Sequence, residues 1–137
     1  MKTFKLVIFF AFSSMLLIVA CNPSKMVTRK LVGEWQVAEI KEQNAAADAL
    51  VSTNIGVISL NPDNTGLKIS SFSVMGLTRS DTTHFTWINT QNSIIINTED
   101  ESIGKLWIIS ELKKNNQVWK TTDGNANMQI MKLERKR

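Results

Sequence analysis

From residue 31 onward, short runs of β-branched, aromatic and threonine residues alternate with clusters of Asn, Asp and Gly. Runs of this length between turn-forming residues predict an antiparallel barrel or sandwich rather than alternating strands and helices. The predicted strands are residues 31–42, 55–60, 67–75, 83–89, 93–98, 105–112, 117–122 and 127–134. One short helix is predicted at residues 45–50, after the first strand, with Asn44 as N-cap; a loop there is the alternative.

Two hairpins can be registered from the sequence. A two-residue turn at Gln91 and Asn92 predicts three cross-strand pairs and one shared opposite face. The pairs are Trp87 with Ile96, Asn89 with Ile94, and Phe85 with Thr98, and the opposite face holds Ile88 and Ile95.

The second hairpin is registered by a type I′ turn at Asn115 and Asn116. This turn places Leu112 opposite Trp119 and Glu111 opposite Lys120. Because a charge pair belongs in water, this register predicts that Leu106, Ile108, Leu112 and Trp119 face the interior. It also predicts that Trp107 and Ile109 lie outside. A one-residue slip would reverse these assignments.

Side chains predicted to face the interior are candidates for ligand binding. They are Phe85, Trp87, Ile96, Ile108, Leu112 and Trp119. An eight-stranded barrel either fills with its own side chains or leaves space for one small ligand, so a filled core is the alternative. Trp107 and Ile109, with Ile88 and Ile95, form a candidate docking face for another protein. This face would not exist if the strands formed two packed sheets, or if the inward-facing and outward-facing residues were exchanged.

The N-terminus has the pattern of an export signal. Lys2 and Lys5 precede an apolar stretch at residues 6–20, which is short for a helix that spans a bilayer. The sequence Ile18-Val19-Ala20-Cys21 resembles the bacterial lipoprotein signal. The resemblance implies that Cys21 carries lipid, becomes the first mature residue and holds the protein at a membrane. An uncleaved membrane helix and a free thiol at Cys21 are the alternatives.

Three segments follow from this interpretation: a signal peptide at 1–20, a lipidated polar tether at 21–30 and a barrel domain at 31–137. Cys21 is followed by Asn22, not by the aspartate that retains enterobacterial lipoproteins in the inner membrane, and no acidic run comes next. In a host with two membranes, the outer membrane facing the periplasm is therefore the predicted location.

Composition narrows the chemistry. The 137 residues carry a net charge of +4, and 14 Lys and Arg face 12 Asp and Glu once residues 1–20 are removed, so no nucleic-acid partner is predicted. His84 has no partner cysteine in the domain, and neither a nucleophile motif nor a phosphate loop occurs. The Asp123-x-Asn125-x-Asn127 spacing fails as a calcium loop at Met128, where glycine is needed. Residues 98–101 are expected to be a solvated acidic turn. We expect no catalysis, metal or cofactor.

Several weak motifs in order suggest a family. Gly33-Glu34-Trp35 opens the first strand, and the sequences at 61–66, 85–89, 94–96 and 106–112 follow at suitable spacing. The chain resembles the lipocalin superfamily, in particular the small lipocalin-like domains of bacterial lipoproteins. The resemblance implies an up-and-down eight-stranded barrel in which Trp35 packs at the closed end beneath Arg135. The chain departs from the family pattern at Thr122-Asp123-Gly124, where many members have Thr-Asp-Tyr. We also expect neither a disulfide nor a C-terminal helix, both of which are common in the family.

What the resemblance implies is non-catalytic binding of a small apolar or amphipathic ligand. The alternative is an accessory lipoprotein with a filled barrel, which docks to another envelope protein.

Overall fold

The computed structural model describes residues 22–44, 49–122 and 127–137. Each strand pairs antiparallel with the next, and the last pairs with the first, so the sheet closes into a barrel. The strands are β1 (Gly33–Gln43), β2 (Leu50–Leu60), β3 (Thr65–Val74), β4 (Leu77–Asn89), β5 (Ser93–Asn97), β6 (Leu106–Leu112), β7 (Asn116–Thr122) and β8 (Met128–Arg135). The prediction of an all-β, eight-stranded antiparallel up-and-down barrel is confirmed.

A helix, α1 (Pro23–Leu31), precedes the barrel. Asn22 caps it by accepting a hydrogen bond from the Ser24 amide, and Pro23 occupies the first turn, where its missing N–H costs nothing. Leu31 is buried and Val27 packs against the core. The segment predicted to be a tether is therefore a helix, because the spacing of Val27 and Leu31 gives it one apolar face.

This helix covers one end of the barrel, which we call the closed end. There Asn89, the last residue of β4, donates to the Ser24 carbonyl and accepts from the Thr28 hydroxyl. The opposite end, where β5 ends and β6 begins, is called the open end.

Several N-terminal predictions lie outside the described residues. They include the signal peptide, Cys21 and most of the helix expected at residues 45–50; Leu50 itself begins β2. Over the described ranges, no helix is both long enough and apolar enough to span a membrane.

The β4–β5 hairpin has the predicted register. Trp87 pairs with Ile96 and Asn89 with Ile94, and the Thr90 amide donates to the Ser93 carbonyl around the turn. On the opposite face Ile88 pairs with Ile95, and both side chains are exposed. The turn residues and the alternation of side chains were sufficient to fix this register.

The predicted β6–β7 register is wrong. The Lys113 amide donates to the Asn116 carbonyl, so the turn lies one residue earlier than expected. A β-bulge at Ser110 then shifts the register again, and Trp119 pairs with Ile109 instead of Leu112. A bulge adds one residue to one strand, which exchanges the two faces of that strand beyond it.

Candidate functional site

Large apolar side chains fill the closed half of the barrel. The four tryptophans Trp35, Trp87, Trp107 and Trp119 are all fully buried. Each indole N–H already has an acceptor within the protein, at 2.7–3.0 Å: the carbonyls of Leu31, Thr65 and Ile103, and the side-chain oxygen of Gln117. The tryptophans therefore form a satisfied core, and their polar atoms are not available to a ligand.

The predicted ligand-binding residues divide between this core and the surface. Phe85, Trp87, Ile96 and Trp119 are buried among the core residues. Leu112 is only partly buried, against the core. Ile108 is 48% exposed on the outer face, so its assignment to the interior is wrong, as is that of Leu106. The bulge at Ser110 accounts for both errors.

The candidate docking face is wrong for the same reason. Trp107 is 1% exposed and lies 6.4 Å from Trp119 between ring centroids. Ile109 is partly buried against the core. Leu106 and Ile108 occupy the outer positions instead, and Ile95 pairs with Leu106, so apolar side chains continue across β5 and β6.

The closed end has the arrangement that the resemblance implies for Gly33, Trp35 and Arg135. The guanidinium carbon of Arg135 lies 4.3 Å from the centroid of the Trp35 ring. Arg135 also donates to the carbonyls of Lys30, Val32 and Lys114, and thus joins the helix to the β6–β7 turn. Gly33 has a φ of 137°, and a Cβ there would overlap Nη1 of Arg135. Glycine is needed at this position so that the arginine can reach the ring.

At the open end, the β5–β6 loop (residues 98–105) packs against the core through one side chain. Ile103 is the buried apolar residue of this loop, 1% exposed, and it belongs to the core cluster. Its carbonyl accepts the hydrogen bond from Trp107 Nε1. The loop therefore inserts the Ile103 side chain into the barrel core from the open end.

A polar cluster attaches this loop to β3. Lys68 Nζ lies 2.9 Å from Asp100 Oδ2 and 2.6 Å from Ser102 Oγ. Burial acts to raise the pKa of Asp100, but hydrogen bonds from Ser102 and Lys68 outweigh it and lower that pKa to about 2. The residues expected to be a solvated acidic turn thus include an anchored carboxylate.

Beneath the loop lies a cavity of about 140 Å³. Apolar side chains make up most of its walls, and Lys68, Ser70 and Ser102 also line it. The apolar residues that line it include Val37, Ile40, Ile55, Ile58, Ile103 and Met131. None of these was predicted as a ligand-binding residue. Ile103 was detectable, because it is the single large apolar residue between Thr98 and Lys105.

His84 lies on the outer face of β4 and is exposed. Within the described ranges, no group of three or more His, Cys, Asp or Glu side chains is placed to hold a metal ion.

Comparison with known proteins finds only distant structural similarity. No family model and no curated protein matches the chain. A redesigned beta barrel is similar with a TM-score of 0.41 and 14% identity, covering 81% of this chain and 96% of that one. The siderocalin Ex-FABP, which functions through dual ligand specificities, has a TM-score of 0.46 and 12% identity, covering 78% and 74%. The class is defined by the strand topology itself: a closed, eight-stranded, antiparallel up-and-down barrel.

Proposed function

We propose that this protein binds one small apolar molecule in the cavity beneath the β5–β6 loop. The observation that carries the proposal is the cavity itself, about 140 Å³ in a barrel whose closed half is filled. Apolar cavities of roughly 150 Å³ stay dry and bind benzene. The space therefore suits a single aromatic ring or a short aliphatic molecule.

The lining favours an apolar ligand with at most one polar group. Ile40, Ile55 and Met131 offer no hydrogen bonds, whereas the polar lining residues Lys68 and Ser102 already bond to each other. A long acyl chain would need Ile103 to leave the barrel, which costs the burial of that side chain. Small ligands are therefore preferred.

The test is a thermal-unfolding titration with benzene, toluene, indole and a long-chain fatty acid. A ligand at 100 times its Kd stabilises the native state by about 2.7 kcal/mol. We expect saturable stabilisation by the one-ring compounds and none by the fatty acid.

Two variants locate the site. Ile55→Phe fills the cavity and should abolish the stabilisation, whereas Ile88→Phe adds the same group on the outer face and should not. A response that survives Ile55→Phe, or no response to any small ligand, would show that the cavity is not a binding site.

We further propose that the protein is held by lipid on Cys21, with residues 1–20 removed, at the outer membrane facing the periplasm. The support is the sequence Ile18-Val19-Ala20-Cys21 and the absence of an acidic residue directly after it. Mass spectrometry of the N-terminal peptide should detect acyl chains on Cys21. Cys21→Ser should move the protein out of the membrane fraction, and unmodified Cys21 in a membrane-bound protein would refute the anchor.

A second candidate function is docking to another envelope protein. A groove of about 470 Å³ on the outer face favours it, because Leu106, Ile108 and Met128 line it while partly exposed. A photo-crosslinker at Ile108 should capture a defined partner, and one at the outward-facing His84 should not. Equal capture at both positions would contradict a specific docking face.

A further inference from the structure

The outward face of α1 is basic. Ser24, Val27, Thr28 and Leu31 face the barrel, as their burial and their hydrogen bonds to Asn89 show. The other face exposes Lys25, Met26, Arg29 and Lys30. Met26 is 53% exposed between these cations. A basic helix face that also exposes an apolar side chain is typical of helices that lie at a membrane surface.

Two further segments bring cations to the same end of the barrel. Lys113 and Lys114 lie in the β6–β7 turn, and Arg135 to Arg137 end the chain. Arg135 connects these segments to the helix, because it donates both to the Lys114 carbonyl and to the Lys30 carbonyl. The three groups of cations therefore form one surface.

Charge is distributed unevenly along the barrel axis. Of the 14 Lys and Arg in the described ranges, eight lie at the closed end: Lys25, Arg29, Lys30, Lys113, Lys114, Arg135, Lys136 and Arg137. Four of the ten described acidic residues lie there, and two of these, Glu34 and Glu111, form exposed ion pairs with Lys136 and Lys113. The remaining six basic and six acidic residues cancel, so the net positive charge of the described residues belongs to the closed end.

We propose that this basic closed end docks on the anionic phospholipid headgroups of a membrane and orients the barrel with its open end away from the bilayer. Two observations select this occupant. One is charge complementarity. The other is that Cys21, the proposed lipidation site, is bonded directly to the N-cap Asn22, so its acyl chains would enter the bilayer within a few ångströms of the helix.

The charges set the orientation rather than the attachment. Several acyl chains on Cys21 would suffice to keep the protein at a membrane. Each Lys or Arg close to an anionic bilayer strengthens the interaction about fivefold. In this orientation the β5–β6 loop and its cavity, at the other end of the barrel, would exchange ligand with the aqueous phase. This inference rests on the proposed lipid anchor at Cys21. It adds that the proposed ligand would enter the cavity from the aqueous phase rather than from the bilayer.

The experiment places an environment-sensitive fluorophore at either end of the protein as it is made in cells. The positions are Met26→Cys on the helix and Met75→Cys at the fully exposed tip of the β3–β4 hairpin. Labelled protein is mixed with phosphatidylcholine vesicles, with and without phosphatidylglycerol. We expect the label at Met26→Cys to shift further towards an apolar environment with phosphatidylglycerol than without it. The label at Met75→Cys should stay in water, and added salt should reverse the shift.

Charge variants provide the matched control. Removing Lys25 and Arg29 as Lys25→Gln and Arg29→Gln should lower the ratio of docked to undocked label about fivefold per charge. Lys120→Gln and Lys132→Gln, which remove two exposed cations from the barrel wall, should have no such effect.

The outcomes also separate the surface from the anchor and from ligand binding. If the protein floats with vesicles that contain phosphatidylglycerol but not with pure phosphatidylcholine vesicles, the result supports the basic docking surface and contradicts lipid attachment at Cys21. The same label response in both vesicle types, or protection of the Met75→Cys label instead, overturns the proposal. Ligand binding is read without vesicles, so its failure is distinguishable.

Discussion

Ile103→Ala tests whether the β5–β6 loop closes the barrel. The substitution removes three carbon atoms from a side chain that is 1% exposed and borders the cavity of about 140 Å³. The loop remains attached to β3 through Lys68 and Asp100, so the walls cannot collapse fully into the new space. Substitutions of buried Ile or Leu by Ala cost about 2–5 kcal/mol, and the cost rises with the residual cavity. We expect Ile103→Ala to lower the free energy of unfolding by about 3 kcal/mol.

The assay is equilibrium unfolding in urea, with Ile95→Ala as the matched control. Ile95 lies on the outer face of β5, so its truncation should change the stability by about 0.5 kcal/mol or less. The enlarged cavity of Ile103→Ala should also accept two-ring aromatic ligands that the original protein excludes. If Ile103→Ala costs no more than Ile95→Ala, the loop does not pack into the barrel and the cavity has no cover.

Three further predictions concern stability. Because hydrogen bonds lower the pKa of Asp100 from 3.8 to about 2 in the folded protein, its contribution to stability, about 1 kcal/mol after solvent screening, is present above pH 4 and lost as the pH falls towards 2. Asp100→Asn should abolish this part of the pH dependence in urea titrations, and an unchanged profile would contradict it. Arg135→Ala should cost about 2 kcal/mol through the lost contact with Trp35 and the lost carbonyl hydrogen bonds, and Arg135→Lys should restore only part of it. Gly66→Ala should cost about 2 kcal/mol because the new Cβ overlaps the Phe85 ring, and Phe85→Leu in the same chain should cost less than the two separate changes together.

Local sequence patterns predicted the parts of the fold that local geometry controls. The β4–β5 hairpin is the clearest case, because a two-residue turn and strict alternation leave one register that buries Trp87 and Ile96 and exposes Ile88 and Ile95. The contact of Arg135 with Trp35 was predicted differently, from the resemblance of the order of motifs to that of a known family.

The β6–β7 hairpin shows where such patterns fail. The predicted opposition of Glu111 and Lys120 is wrong because the turn lies one residue earlier, and a bulge at Ser110, which no adjacent residue signals, then exchanges the faces of the rest of the strand. The bulge brings Trp107 into the core, where its indole N–H reaches the carbonyl of Ile103. Burying the large Trp107 side chain stabilises the fold more than an exposed ion pair, which contributes about 1 kcal/mol or less.

The eight strands, their antiparallel order and the supply of large apolar side chains for one core follow from local residue patterns. Those properties depend on residues close together in the chain, through turns and the two-residue period of a strand. The folded structure was needed to show that the barrel is mostly filled, that Ile103 packs into its core, and that a cavity remains beneath the loop. It also decided that residues 23–31 cover the closed end and gather the basic side chains there. These features depend on volumes and contacts between distant segments, which no local pattern of residues specifies.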